Sequence, residues 1–409
     1  MQETSNPRID FSIPKNEFTS KILYKSPYLF KNSLNNAEIS WEKISEIYER
    51  ADASNKSFKL MYGYEVPKKE YLESYFNVGK LEFRYSKPVI YDYMRKGATL
   101  VYNRIRNEPF VSDLARQVAQ YANAQVITSA YAAFGAKPSY RCHWDTRDVF
   151  AIQLKGRKRW VLKKPNFELP LYMQQTKDIP NITEPEDVYW DLVLEAGDVL
   201  YVPRGWWHNP IPLDGETFHL AIGTFAPTGF DYLNWLVRLA PTIPDGRRNL
   251  HSYEASQKSL ERFSQEFAEL MSSQDAFESF MTDYISQQRM DSKISLGVLG
   301  NSKIQQLEKS HQVRLNANLI YRFSGDFMIV NGNRLNVDAS GKKLITYLHD
   351  FHFCSVDDII SRFPDYPDNK IQEVLFQFAL NDVIELVGKD GKSLPKTKDE
   401  KRTKISLDA

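Results

Sequence analysis

The stretch Ser139–Leu162, "SYRCHWDTRDVFAIQLKGRKRWVL", and its counterpart Glu195–Ile211, "EAGDVLYVPRGWWHNPI", decide how this chain folds. The first carries His143 and Asp145, two positions apart. In an extended chain, residues at that spacing point the same way, so both side chains can grip one ion. In the second, "GDVLYVP" followed by "GWWH" predicts a strand, a turn and another strand, which brings His208 to the same ion. Two imidazoles and one carboxylate on one face of a metal, with the opposite face open, form the ligand set of non-haem Fe(II) oxygenases. A His-x-Asp pair alone also describes a surface histidine beside a solvated aspartate, so the flanking residues have to carry the argument.

They carry it by repetition. "DVFAIQLKGRKRWVL" predicts an apolar strand, a turn at Gly156 and a second strand with basic residues and Trp160, and "LEAGDVLYVPRGWWH" repeats that plan. Paired hairpins around a histidine-bearing interior describe a double-stranded β-helix, the jelly-roll barrel of cupins. On the "GRKRW" strand, Arg157 and Arg159 face one way and Lys158 the other. Tyr131 lies on a strand before the first histidine, and His219 shares a strand face with Ala221 and Gly223. Trp144 alternates away from the ion, and Cys142 is expected to face packing, opposite to His143. Trp206 and Trp207 wedge the turn before His208, Asp198 and Asn209 read as turn residues, and Asn103 as an ordinary strand end. The long Pro-containing segment 163–193 is either a loop across the mouth of the barrel or an external decoration.

At this point the chain resembles the JmjC-type 2-oxoglutarate oxygenases, and among them the ribosomal oxygenases. The likeness extends beyond the metal motif to "NEFTSKILYKSPYLFKNSL", "ISWEKISEIYERAD", "GATLVYNRIR" and "VITSAYAAFGAKPSYRCHWD". It reaches "DFMIVNGNRLNVDASGKKLITYLHDFHFCSVDDIISRF" near the end of the chain. The resemblance implies an α+β protein: a cupin-like JmjC barrel, then a helical dimerisation segment and a C-terminal winged-helix-like module. The corresponding boundaries are 1–227, 228–318 and 319–388, with a Lys-rich tail over 389–409. It implies Fe(II), 2-oxoglutarate and O2 as cofactors, with Lys158 at the position that pairs with the distal carboxylate of 2-oxoglutarate. Tyr131 would hydrogen-bond cosubstrate or substrate, or simply pack. His219 would contact the cosubstrate, support the metal, or be a core histidine. The segment 228–318, with Leu260, Phe263, Phe267, Leu270 and Met271 at helical spacing, would form a homodimer interface. The implied activity is hydroxylation of an amino-acid side chain in a protein, most plausibly a ribosomal protein. Three alternatives stand beside it: hydroxylation of a peptide or small metabolite, lysine demethylation, and a catalytically silent cupin-like binding protein.

Composition sets limits. A chain of 409 residues with 42% hydrophobic and 13% aromatic content is globular and long enough for two or three cores. A formal net charge of +1 supplies no global basic field to recruit nucleic acid, and the C-terminal module shows no basic recognition helix, so specific DNA binding is not expected. Cys142 and Cys354 are far apart and make no metal spacing; their scarcity fits a reducing compartment. With no signal peptide and no apolar run of membrane length, the expectation is a cytoplasmic protein without membrane attachment.

Overall fold

The computed structural model describes residues 7–35, 39–290, 292, 294, 296–299, 305–321, 323–351 and 353–387, so the Lys-rich tail lies outside the described residues. The chain divides into two compact units, Met1–Phe280 and Met281–Ala409. This division does not coincide with the segments drawn at 227 and 318.

The larger unit is built on one antiparallel sheet. Its strands are β1 (Tyr28–Phe30), β2 (Phe58–Met61), β3 (Thr99–Tyr102), β4 (Gln125–Ala133), β5 (Asp148–Lys163), β6 (Trp190–Glu195), β7 (Val199–Val202) and β8 (Trp207–Phe225). They hydrogen-bond in the order β1-β7-β5-β8-β4-β3-β2, with β6 on the second half of β5. The two long strands carry the architecture. β8 pairs with β5 from Trp207↔Lys163 to Thr224↔Asp148, and its far half also pairs with β4. The first half of β5 is buried on both faces. Phe150, Ile152 and Leu154 join a core with Val111, Leu114 and Val118, while Ala151 faces a second cluster with Trp160, Leu162 and Leu200.

The turn expected at Gly156 is not there. β5 runs through it as a single strand, and the pairing with β8 instead shifts register between Pro212 and Thr217. Gly156 sits at φ +63°, and a Cβ on it would lie 1.7 Å from the Glu216 carbonyl oxygen. The glycine serves a close approach of two backbones at an irregularity, which bends long strands from one face of the barrel into the other.

Helices cover the outside. α1 (Trp41–Glu49) starts on Ser40, whose hydroxyl accepts the Lys43 N–H, and buries Ile44, Ile47 and Tyr48. α2 (Lys87–Arg95) has Pro88 in its first turn, so although "EFRYSKPVIY" over 82–91 reads as a strand in sequence, the strand stops at Tyr85. That short strand pairs only with Leu72–Asn77, in a two-stranded hairpin outside the barrel sheet. α3 (Pro109–Ala122) buries Val111, Leu114, Ala115 and Val118 at helical spacing and ends on Asn123 in the left-handed conformation. After the barrel, α4 (Gly229–Leu236) opens with a Thr228–Asp231 capping box, and α5 (Tyr253–Ser272) follows. Tyr232 and Trp235 of α4 pack on Phe280, at ring-centroid distances of 5.1 and 6.0 Å.

The smaller unit has a three-stranded antiparallel sheet with Gln312–Leu315 between Cys354–Ser355 and Ile384–Val387. Helices Ala339–Asp350, Val356–Arg362 and Asp368–Leu380 enclose a core containing Val313, Leu315, Ile345, Ile359 and Leu375. Among the described residues no helix is long and apolar enough to cross a membrane.

Gly156 provides a direct test of the long-strand architecture. Gly156→Ala is expected to destabilise the larger unit by more than ~2 kcal/mol, because the methyl group meets backbone that cannot move aside. Chemical denaturation should show its transition shifted to lower denaturant.

Candidate metal centre

His143 and His208 are joined as an isolated antiparallel bridge. The His143 N–H donates to the His208 carbonyl at 3.1 Å, and the His208 N–H returns to the His143 carbonyl at 2.7 Å. The rings stand side by side with centroids 4.5 Å apart. Asp145 arrives two residues beyond His143, and its Oδ2 lies 3.4 Å from His208 Nε2. Ligand atoms of all three residues lie within 4.8 Å of one another.

The tautomers follow from the carbonyls around them. His143 Nδ1 lies 2.8 Å from the Arg141 carbonyl oxygen, and His208 Nδ1 lies 3.1 Å from that of Trp206. A carbonyl only accepts, so each Nδ1 carries the proton and each Nε2 keeps its lone pair for an ion. Burial, and then neighbouring His208, push the His143 pKa down and favour the neutral ligand form. Burial alone would raise Asp145, but His208 and His143, whenever they carry a second proton, and the nearby Arg147 pull it below the ordinary carboxylate range. The donor set suits a divalent transition metal with open positions on one side.

Trp144 takes the opposite direction. It is buried, donates its Nε1–H to the Gln174 carbonyl at 3.0 Å and its backbone N–H to Thr176 Oγ1 at 3.1 Å. Its ring stacks on Phe167 at 5.6 Å and meets Trp207 edge-on at 4.8 Å. The 163–193 segment is therefore fastened to the back of the candidate ligand pair.

A continuous line of rings runs from the histidines into the barrel. Trp160 lies 5.9 Å from His208 and 5.9 Å from His219, and His219 stacks on Tyr131 at 4.8 Å. The Lys158 ammonium stands 5.8 Å from the centre of the Tyr131 ring. Lys158 is 1% exposed, and among the described residues no carboxylate pairs with it. Burial pushes its pKa down to about 7. Burial, and then Lys158, push His219 down, so His219 is neutral. Trp160 Nε1 and His219 Nδ1 are buried without a hydrogen-bond partner among the described residues. A buried cation beside unpartnered polar atoms is a cradle for an anion with further acceptor atoms. Arg157 is exposed and Arg159 pairs outward with Asp191, at 2.5 and 2.7 Å.

The remaining candidates fall as follows. Asn103 ends β3 and donates its backbone N–H to Ser57, as an ordinary strand end does. Cys142 is half-buried rather than fully packed, and burial followed by Glu184 pushes its thiol up to about 12. Asp198 does more than form a turn: its carboxylate accepts the Asn32 and Glu195 amides at 2.9 and 2.8 Å and pairs with Lys31. Sequence reasoning did not single out Trp160 or Tyr140 for the site. Trp160, two residues beyond Lys158, was within reach of the alternation argument. Tyr140, 5.8 Å from His143 between ring centres, carried no pattern of its own.

Removing one imidazole should abolish metal retention while leaving the fold. His143→Ala is expected to weaken Co(II) binding by at least ~100-fold, read by calorimetric titration, with circular dichroism unchanged.

Comparison with known proteins agrees with the geometry. Residues 100–232 match the JmjC domain family. A bifunctional lysine-specific demethylase and histidyl-hydroxylase, NO66 of Drosophila persimilis, is 28% identical over 131 residues, 32% of this chain and 18% of that protein. The tRNA wybutosine-synthesizing protein 5 of Gallus gallus is 33% identical over 120 residues, 27% of this chain and 37% of that protein. The chain thus spans well under half the length of these relatives. YcfD, a ribosomal oxygenase from Escherichia coli solved with cobalt and 2-oxoglutarate, superposes with a TM-score of 0.57. At 16% identity, that match covers 93% of this chain and 100% of YcfD. Residues 100–232 of this chain thus carry a JmjC domain, on a fold similar to that of the ribosomal oxygenase YcfD.

Proposed function

We propose that the chain is an Fe(II)- and 2-oxoglutarate-dependent oxygenase that hydroxylates an amino-acid side chain of a protein, with a ribosomal protein as substrate. The observation that carries this reading is Lys158, a buried cation with no carboxylate partner among the described residues, inside the barrel that also holds the three candidate ligands. A cupin that only stored a metal would have no use for a second, anion-seeking tier. The proteins it resembles include a histidyl-hydroxylase and a ribosomal oxygenase solved with 2-oxoglutarate.

His143 Nε2, His208 Nε2 and the Asp145 carboxylate would hold Fe(II) on one face. With 2-oxoglutarate and O2, the bound iron supplies oxidative decarboxylation to succinate and CO2 and the oxidising power to hydroxylate a C–H bond. The chain's own residues bind and orient. Lys158 would pair with the distal carboxylate, and the Trp160 Nε1–H could donate to another cosubstrate oxygen. Tyr131 and His219 wall the pocket and keep water away, which strengthens the charged contact. Burial raises the Tyr131 phenol and pushes that of Tyr140 up to about 12, so both stay protonated donors through the physiological range.

We assign the homodimer contact to residues 228–318. Phe230, Leu233 and Val237, at i, i+3 and i+7 around α4, are 37%, 39% and 56% exposed, and they form an apolar stripe that a second copy would cover. Residues 319–388 are read as a winged-helix-like module that does not read DNA sequence. Its helices Val356–Arg362 and Asp368–Leu380 carry Asp357, Asp358, Asp368 and Glu373 against Arg362 and Lys370. The chain is read as cytoplasmic, from its sparse cysteines.

The deciding experiment is succinate production by anaerobically iron-loaded protein, with and without a mixture of ribosomal proteins. Stimulated turnover with a one-oxygen mass gain on one peptide supports the reading. Turnover without stimulation points to a peptide or metabolite substrate, formaldehyde release to demethylation, and iron binding without turnover to a silent cupin. The Lys158 pKa also fixes a sign. Below pH 7 the amine is already charged; above it, binding the dicarboxylate must take up a proton. Affinity for 2-oxoglutarate should be level in acid and fall toward ~tenfold per pH unit above about 7. Lys158→Met should weaken binding by ~10–100-fold and remove that dependence. Sedimentation at micromolar concentration should show a dimer that Val237→Glu dissociates; a clean wild-type monomer would sink the interface assignment.

A further inference from the structure

A buried carboxylate that the proposed chemistry does not use stands beside the candidate ligands. Asp148 opens β5 and is 3% exposed. Its Oδ1 accepts the Arg204 backbone N–H at 2.9 Å. The Tyr201 hydroxyl also bonds to this carboxylate, and its oxygen accepts the Tyr24 backbone N–H at 2.9 Å. Tyr24 is itself in the left-handed region, at φ +63°, which is costly for an aromatic residue.

Arg204 belongs to the turn between β7 and β8, and that turn touches both candidate ligand segments. Next along it, the Gly205 N–H donates to the Asp145 carbonyl at 3.1 Å. One residue further, the Trp206 carbonyl accepts the His208 Nδ1–H at 3.1 Å. One side of the turn therefore sets where Asp145 stands, and the other fixes the His208 tautomer and ring. What fastens the turn's first amide is the Asp148 carboxylate, on the strand that continues from Asp145.

Filling space does not explain this side chain. A carboxylate is a costly filler for a dry pocket, and burial pushes Asp148 up to about 6 despite the Arg204 amide, the Arg204 guanidinium and the Tyr201 hydroxyl around it. Its bonds lead to the turn and to β7, so what the carboxylate does there is hold them. Supporting hydrogen bonds of this sort orient ligands and tune metal affinity.

We propose that Asp148 is a positioning residue: by holding the Arg204 amide it fixes the turn that sets Asp145 against His208, and with it the affinity of the centre for a divalent metal. The proposal rests on the trio being a metal site.

The test is titration of Co(II) into the full chain, followed by calorimetry and by the visible absorption of the bound ion. Asp148→Ala should bind Co(II) ~10–100-fold more weakly and with an altered spectrum, while the metal-free protein still unfolds cooperatively. Asp148→Asn keeps an oxygen for the Arg204 amide and should stay close to wild type. Wild-type affinity in Asp148→Ala overturns the proposal. So does an Asp148→Asn variant as weak as the alanine, which would assign the effect to charge rather than to the Arg204 bond. If the alanine variant does not fold, Tyr201→Phe decides, since it removes the hydroxyl that steadies the carboxylate. Weakened Co(II) binding supports the proposal, and unchanged binding overturns it. A wild-type chain that binds no Co(II) fails the metal-site reading itself, an outcome separate from any difference among variants.

Discussion

The pair of backbone hydrogen bonds between His143 and His208 governs the arrangement around it. Each residue exchanges both its N–H and its C=O with the other, so the two imidazoles are fixed in register as cross-strand neighbours. Side chains alternate along an extended chain, and a slip of one residue would swing a histidine out of the barrel and a tryptophan into it. Asp145 follows automatically, two residues on. The long β5–β8 pairing holds that register over many residues, and the irregularity at Gly156 lets the same two strands line the interior along their full length. The candidate centre is thus a property of strand pairing before it is a property of side chains.

Behind it lies an electrostatic constraint of a different sort. Burying an ammonium without a carboxylate partner is unfavourable, and the chain answers by lowering the Lys158 pKa rather than by supplying a counter-charge. The neighbouring His219 is kept neutral by the same burial and by Lys158 itself. The interior is therefore tuned to hold a cation once an anion enters with it, the condition that the proposed pairing of Lys158 with a carboxylate requires.

Local pattern made part of this legible. The period of two placed His143 with Asp145, turned Trp144 outward and set Lys158 on the face opposite Arg157 and Arg159, because alternation needs no knowledge of distant partners; that the Lys158 face is the inner one came from the family resemblance. The amphipathic faces of α1 and α3 were readable for the same reason. What stayed hidden depends on which strand meets which. Gly156 looks like a turn residue in sequence, and only the Glu216 carbonyl opposite shows that it serves a close approach. Residues 80–85 have the composition of a barrel strand but pair only with 72–77. Gln312–Leu315 is central to the small sheet, yet it falls within residues 228–318, expected from sequence to be a helical segment. Tyr140 and Asp148 have no sequence signature, since their roles come from contacts with residues far along the chain.

Trp144 has a mechanical consequence. It is the residue between His143 and Asp145, and it is clasped by Gln174, Thr176 and Phe167. A load placed on that loop is passed through a rigid indole to the peptide units on either side, which are those of the two candidate ligands. Coupling of this sort acts in both directions. A macromolecule that grips the 167–176 segment would tighten or loosen the hold on iron, and an ion drawing His143 and Asp145 together would set the shape of the surface that the macromolecule meets.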